Sequence, residues 1–199
     1  RSMAVKPPYN PHQVTRDFEA ALCQYTGAPY AVAVNSCTMA LLLAVGWHLK
    51  NTPKMSEIIP ADPKWLPRVQ IEIPKFTYNG VPMSIIHAGG WPVFRDEDWL
   101  GSYQLKPLPV WDSARFFTSM MYVPTQMHCL SFHWTKTLGM KYHQGGAILH
   151  DSAEADKWFR RARFDGRTEG VPPKDDVFDM IGWHCYMDPC TARDLLRKL

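Results

Sequence analysis

Three short segments of the 199-residue chain hold residue types that could do chemistry. Ser131-Phe-His-Trp-Thr-Lys136 sets a lysine just beyond an apolar run and among aromatic neighbours. Burial there would lower the amine's pKa and make it nucleophilic toward aldehydes, whereas a stem packed on Trp134 would leave an ordinary surface lysine. Trp111-Asp112-Ser113-Ala114 puts an acid directly after an apolar run. A carboxylate at the end of a strand stands over the sheet crevice, unless it merely caps the loop. Asn35-Ser36-Cys37-Thr38 joins a strand-like run to a helix-like one. Unpaired N–H groups and the positive helix end suit an anion such as phosphate there, although a plain cap by Ser36 or Thr38 accounts for the same residues.

These groups depend on the elements around them. Thr15 to Tyr25 spaces Phe18, Leu22 and Tyr25 at helical intervals and meets Gly27, which predicts an amphipathic helix, with residues 1–14 an extended arm ahead of it. Tyr30–Val34 predicts a strand and Met39–Leu49 a helix. Asn51 to Pro67 is a proline-rich loop, and Val69–Ile73 alternates as a strand does. Asn79–His87 fits helix or strand, and Trp91–Phe94, Pro109–Trp111, Met127–Phe132 and Ala147–Leu149 read as short strands. Asp151–Arg163 and Thr191–Leu199 read as helices. Short apolar strands separated by helix or loop predict a single α/β domain over residues 1–199, three-layered (αβα), with a mostly parallel sheet. An amine, a carboxylate and an anion-holding turn together ask for a ligand with a carbonyl, a cationic ring nitrogen and a phosphate, which describes pyridoxal phosphate.

Composition excludes several other classes. Lys plus Arg (22) against Asp plus Glu (19) leaves a charge of +3, too weak a field to drive nucleic-acid or membrane binding. No apolar stretch approaches the roughly 20 residues of a membrane helix, and Arg1-Ser2 opens no secretion signal, so a cytoplasmic protein is expected. Five scattered cysteines form no CxxC pair, and the eight histidines have no ligand spacing, so no metal is assigned. Arg160, Arg161, Arg163 and Arg167 alternate with Asp151, Glu154, Asp156 and Asp165, which predicts a solvated helix face.

Six ordered segments carry a family likeness. Val34-Asn-Ser-Cys-Thr-Met-Ala-Leu41, Ile73-Pro-Lys-Phe-Thr-Tyr78, Gly90-Trp-Pro-Val-Phe94, Asp112-Ser-Ala114, Ser131-Phe-His-Trp-Thr-Lys136 and Gly145-Gly-Ala-Ile148 resemble the successive motifs of the DegT/DnrJ/EryC1/StrS sugar aminotransferases. The resemblance spans about residues 15–199 and implies the large domain of fold-type-I pyridoxal-phosphate enzymes. It implies that Lys136 forms the Schiff base and shuttles the substrate proton, that Asp112 pairs with the ring nitrogen and that Tyr78 stacks on the ring. Ser36, Cys37, Thr38 and Ser131 would cradle the phosphate, and His184 falls where an asparagine usually reaches the phosphate of a partner subunit. A homodimer with a shared site, an amino-acid donor such as glutamate and a nucleotide-linked keto-sugar acceptor complete the implication.

The chain also departs from the family pattern. Arg115 stands where glutamine or histidine approaches the cofactor's phenolic oxygen; its guanidinium could stabilise that oxygen or turn away to an acid. Gln144 replaces the glutamate before the paired glycines. Arg95 to Leu108 is too short for the family's strand, helix and strand, so one βα unit is expected to be missing, as is the small C-terminal domain. The alternative to a transaminase is therefore a non-catalytic scaffold that keeps the fold.

Overall fold

The computed structural model describes residues 10–50, 69–139 and 141–199. The expected proline-rich loop and most of the expected arm lie outside them. Helix α1, Gln13–Thr26, begins two residues before the expected Thr15. It buries Phe18 and Leu22 and ends where Gly27 takes φ +79, its N–H donating to the Cys23 carbonyl at 2.9 Å. That left-handed cap is cheap only for glycine.

Strand β1 (Tyr30–Val34) leads into α2 (Cys37–Lys50), and β2 (Gln70–Pro74) leads through α3 (Gly80–His87) into β3 (Trp91–Arg95). The ambiguous segment 79–87 is helical because its buried residues, Val81, Ser84 and Ile85, recur at helical spacing. Strands β4 (Tyr103–Gln104), β5 (Val110–Asp112), β6 (Met127–Ser131) and β7 (Gly146–His150) follow, then α4 (Ala153–Ala162) and α5 (Pro189–Lys198). Ser152 caps α4 and Asp188 caps α5, each accepting backbone N–H groups.

The main sheet has the order β1-β7-β6-β5-β4, and β2-β3 joins it through an antiparallel bridge between Glu72 and Lys106. Tracing the pairings gives β1, β2, β3, β5 and β6 one direction and β4 and β7 the other. Because β4 and β7 are interleaved among the rest, β1 with β7, β6 with β7 and β4 with β5 pair antiparallel and only β2 with β3 and β5 with β6 parallel, so the sheet is mixed rather than mostly parallel. In the stretch where a βα unit is expected to be missing, residues 96–109 contain no helix, and the two-residue β4 folds back antiparallel onto β5.

Alternation along the strands makes three layers. Val32, Val34, Met127, Cys129 and Ile148 face one apolar cluster with α2, α3 and α4, while Ala31, Ala33, Leu130, Ala147 and Leu149 face another with α1 and α5. Each fully buried Leu, Ile or Phe adds roughly 1.5–3 kcal/mol. No helix among the described residues is long and apolar enough to cross a membrane.

The arginine segment corrects the expectation of a solvated face. Arg163 is only 1% exposed, lies just past the end of α4 and pairs with buried Glu19 of α1, which also accepts Arg160 at 2.7 Å and the Ala33 N–H at 2.8 Å. Burial alone would raise the Glu19 pKa, but Arg163 and Arg160 overcome it and hold the carboxyl below its ordinary value. The acids that neutralise these arginines lie partly on another helix, beyond reach of a local reading.

Candidate active site

The carboxyl ends of β1, β2, β5 and β6 open on one rim of the sheet, and β7, running oppositely, starts there. A cavity of about 300 Å³ occupies that rim. Ser36, Cys37 and Thr38 follow β1, Tyr78 follows β2, Asp112 ends β5, Ser131 and Lys136 lie at and beyond the end of β6, and all line it.

One end of the cavity suits an anion. Ser36 caps α2, its Oγ accepting the Met39 N–H at 3.2 Å, and the first N–H groups of the helix, at Cys37 and Thr38, have no partner within the helix. Capping by Ser36 thus leaves these N–H groups available to an anion. A Cβ on Gly146 would stand 2.5 Å from the Cys37 nitrogen and 2.6 Å from the Ser36 oxygen, so only glycine lets β7 pass this close to the turn. The Cys37 thiol donates to the Cys129 carbonyl at 3.6 Å, and burial, reinforced by Asp112, pushes its pKa well up. It is a neutral wall, which leaves the backbone N–H as this residue's polar group toward the cavity.

Asp112 is the buried acid of the site. Its Oδ1 accepts the Ala114 N–H at 2.9 Å and its Oδ2 accepts the Tyr103 hydroxyl at 2.8 Å. Burial raises the carboxyl's pKa, opposed by those two hydrogen bonds and by the nearby Lys136 charge. Each oxygen keeps a second lone pair for a ligand.

Lys136 rides on a tight turn. Its N–H donates to the His133 carbonyl and its own carbonyl accepts from Gly139, both at 2.8 Å. A Cβ on Gly139 would lie 2.2 Å from the His133 oxygen. The side chain is half-buried rather than free on the surface. Tyr78 is 74% exposed at the mouth, its ring close enough to Gly80 that a Cβ there would approach it to 2.8 Å.

Two of the anticipated residues stand apart. Arg115 is exposed and does not line the cavity. His184 is also outside it, exposed and hydrogen-bonded through Nδ1 to Asp165 at 2.8 Å. Sequence reasoning missed Tyr103, whose contact with Asp112 exists only because β4 folds back onto β5. It also left His133 and Thr135 without a role, although both flank Lys136 and line the cavity, as does Gln144. Among the described residues no group of three His, Cys, Asp or Glu is placed to hold a metal ion.

Pyridoxal phosphate fits this donor set: unpartnered helix N–H groups beside a glycine-kept gap for the phosphate, a buried carboxylate for a cationic ring nitrogen, and an amine for a carbonyl. A family model described as the DegT/DnrJ/EryC1/StrS aminotransferase family matches residues 10–110. The spore coat polysaccharide biosynthesis protein SpsC of Bacillus subtilis (strain 168) is 29% identical over 140 residues, 70% of this chain and 32% of SpsC. Helicobacter pylori PseC, an aminotransferase involved in the biosynthesis of pseudoaminic acid, superposes with a TM-score of 0.69 at 16% identity, covering 93% of this chain and 57% of that one. NtdA from Bacillus subtilis, solved with bound cofactor PMP, gives a TM-score of 0.67 at 15% identity, covering 98% of this chain and 48% of that one. At these identities the solved structures show a shared fold. This chain spans about a third of SpsC and about half of the two solved structures.

Proposed function

The chain belongs to the DegT/DnrJ/EryC1/StrS aminotransferase family, and from that membership we propose that it binds pyridoxal phosphate and moves an amino group from an amino acid such as glutamate to a nucleotide-linked keto-sugar. The observation that carries this reading is the convergence of Lys136, Asp112, Tyr78 and the Ser36–Thr38 turn on one cavity.

When bound, the cofactor supplies an electron sink for the pair released as a substrate carbon loses its proton. The protein's own groups do the rest. The N–H groups of Cys37 and Thr38, with the hydroxyls of Ser36 and Ser131, hold the phosphate. Asp112 holds the proton on the ring nitrogen, and Tyr78 covers a ring face and excludes water from it. Lys136 would hold the carbonyl through its Nζ, and the same amine would carry a proton between substrate atoms. We include a homodimer in the proposal, with His184 exposed to reach a second copy's phosphate; Arg115, on the surface, has no part in it.

Titration with pyridoxal phosphate tests the reading. A visible absorption band that saturates in the wild type and is lost in Lys136→Ala is expected, and so is its bleaching by glutamate. A band that persists unchanged in Lys136→Ala overturns the assignment of that lysine. A band that no amino donor bleaches favours the scaffold, for which the shortened 96–109 segment would be the reason.

A further inference from the structure

The segment between β3 and β5 contains no helix, yet it is firmly built. Lys106 exchanges backbone hydrogen bonds with Glu72 at 2.7 and 3.1 Å, and Arg95 donates to the Gln104 carbonyl at 2.9 Å. Two of its aromatic residues, outside the cavity lining, reach the loop that follows β2. The Trp99 Nε1–H donates to the Phe76 carbonyl at 2.8 Å, and the Trp99 ring meets Tyr103 edge-on at 4.8 Å. Tyr103, only 2% exposed, is hydrogen-bonded to both the Thr77 hydroxyl and Asp112.

The direction of this relay is fixed by proton counting. Tyr103 has one hydroxyl proton and the carboxylate Oδ2 has none, so Tyr103 donates to Asp112 and Thr77 donates to the Tyr103 oxygen. Thr77 is the residue before Tyr78. One phenol therefore ties the loop bearing the ring-covering tyrosine to the acid beneath the ring.

We propose that Tyr103 is a positioning residue, supplied by the hairpin that stands where a βα unit is missing, which locks Asp112 as an oriented carboxylate and couples it to the Tyr78 loop. The proposal rests on the pyridoxal-phosphate reading of the cavity for its purpose, but its geometry is made of contacts within the protein alone. Trp99 is the brace: by holding the Phe76 carbonyl and the Tyr103 ring it fixes the distance between loop and hairpin.

The test follows the carbon-13 carboxyl resonance of Asp112, assigned by its disappearance in Asp112→Asn, against pH in the whole chain without added cofactor. Losing one donor to a buried carboxylate should raise the titration midpoint by about one pH unit in Tyr103→Phe and by less in Thr77→Val, with the thermal midpoint at pH 7 falling by only a few degrees because the ring still packs. A midpoint unmoved in both variants overturns the proposal. Thr77→Val decides the matter should Tyr103→Phe fail to fold. In a second arm, uptake of pyridoxal phosphate is measured against pH, and the acid limb should move upward in Tyr103→Phe by the same amount. If the wild type takes up the cofactor and that limb stays in place, the proposal also fails. If the wild type takes up none, the functional reading fails and the resonance alone judges the tyrosine.

Discussion

The backbone nitrogen of Cys37 lies 2.5 Å from the point where a Cβ on Gly146 would sit, a contact of main chain with main chain across the β1–β7 pair. Neither side can swing away as a flexible side chain would. Gly146→Ala should therefore push the Ser36–Thr38 turn off its position, with a stability loss of about 1–3 kcal/mol. Cofactor affinity should fall at least tenfold, as expected for a displaced phosphate cradle. Equilibrium dialysis with pyridoxal phosphate, alongside urea denaturation, checks both; affinity equal to wild type would remove the turn from the site.

Asp112→Asn separates stability from function. Because burial raises the Asp112 pKa in the folded protein, its stabilising contribution is complete only below the unfolded carboxyl value, about 3.9, and is lost as pH rises through the folded value. Asparagine carries no such charge. In the cofactor-free state the thermal midpoint of the variant should gain on wild type between pH 4 and pH 7, while pyridoxal-phosphate affinity drops roughly tenfold or more for want of a charged partner. A variant midpoint that falls relative to wild type as pH rises contradicts this.

Glu19→Gln strikes the opposite balance. Its pKa is depressed, so its contribution is present above the unfolded value, about 4.3, and disappears as pH falls through the folded one. Removing the charge leaves Arg163 buried without its main counter-charge, at a cost of about 3 kcal/mol at pH 7. Urea unfolding at pH 7 and again below pH 4 should show that difference narrowing in acid.

Tyr78→Ala should leave stability within about 0.5 kcal/mol, since the ring is 74% exposed. Cofactor binding should weaken about fivefold to tenfold through loss of stacking, and Tyr78→Phe should restore it. Fluorescence quenching by pyridoxal phosphate measures both variants.

Much of this arrangement was legible along the chain, because β1 with α2, and β5 with Asp112, announce themselves by an apolar run that ends at a polar residue. The likeness of six segments then supplied what spacing lacks, namely that Lys136 and Asp112 share one cavity. What stayed hidden depends on distant partners. Tyr103 looks like any strand tyrosine until β4 reverses beside β5. Arg163 looks solvated until Glu19 arrives from α1. The apolar run 81–86 has too few polar residues to show its period, which packing against α2 resolves as helical.

Strand polarity divides the molecule's duties. Because the cavity residues gather at one margin of the sheet, the turns at its opposite margin, such as the one around Gly89, whose φ of +94 keeps that one position for glycine, are remote from the chemistry. A peptide tag or spectroscopic label grafted at that bend should be borne without penalty to the cavity, which makes it the natural handle for immobilising the protein.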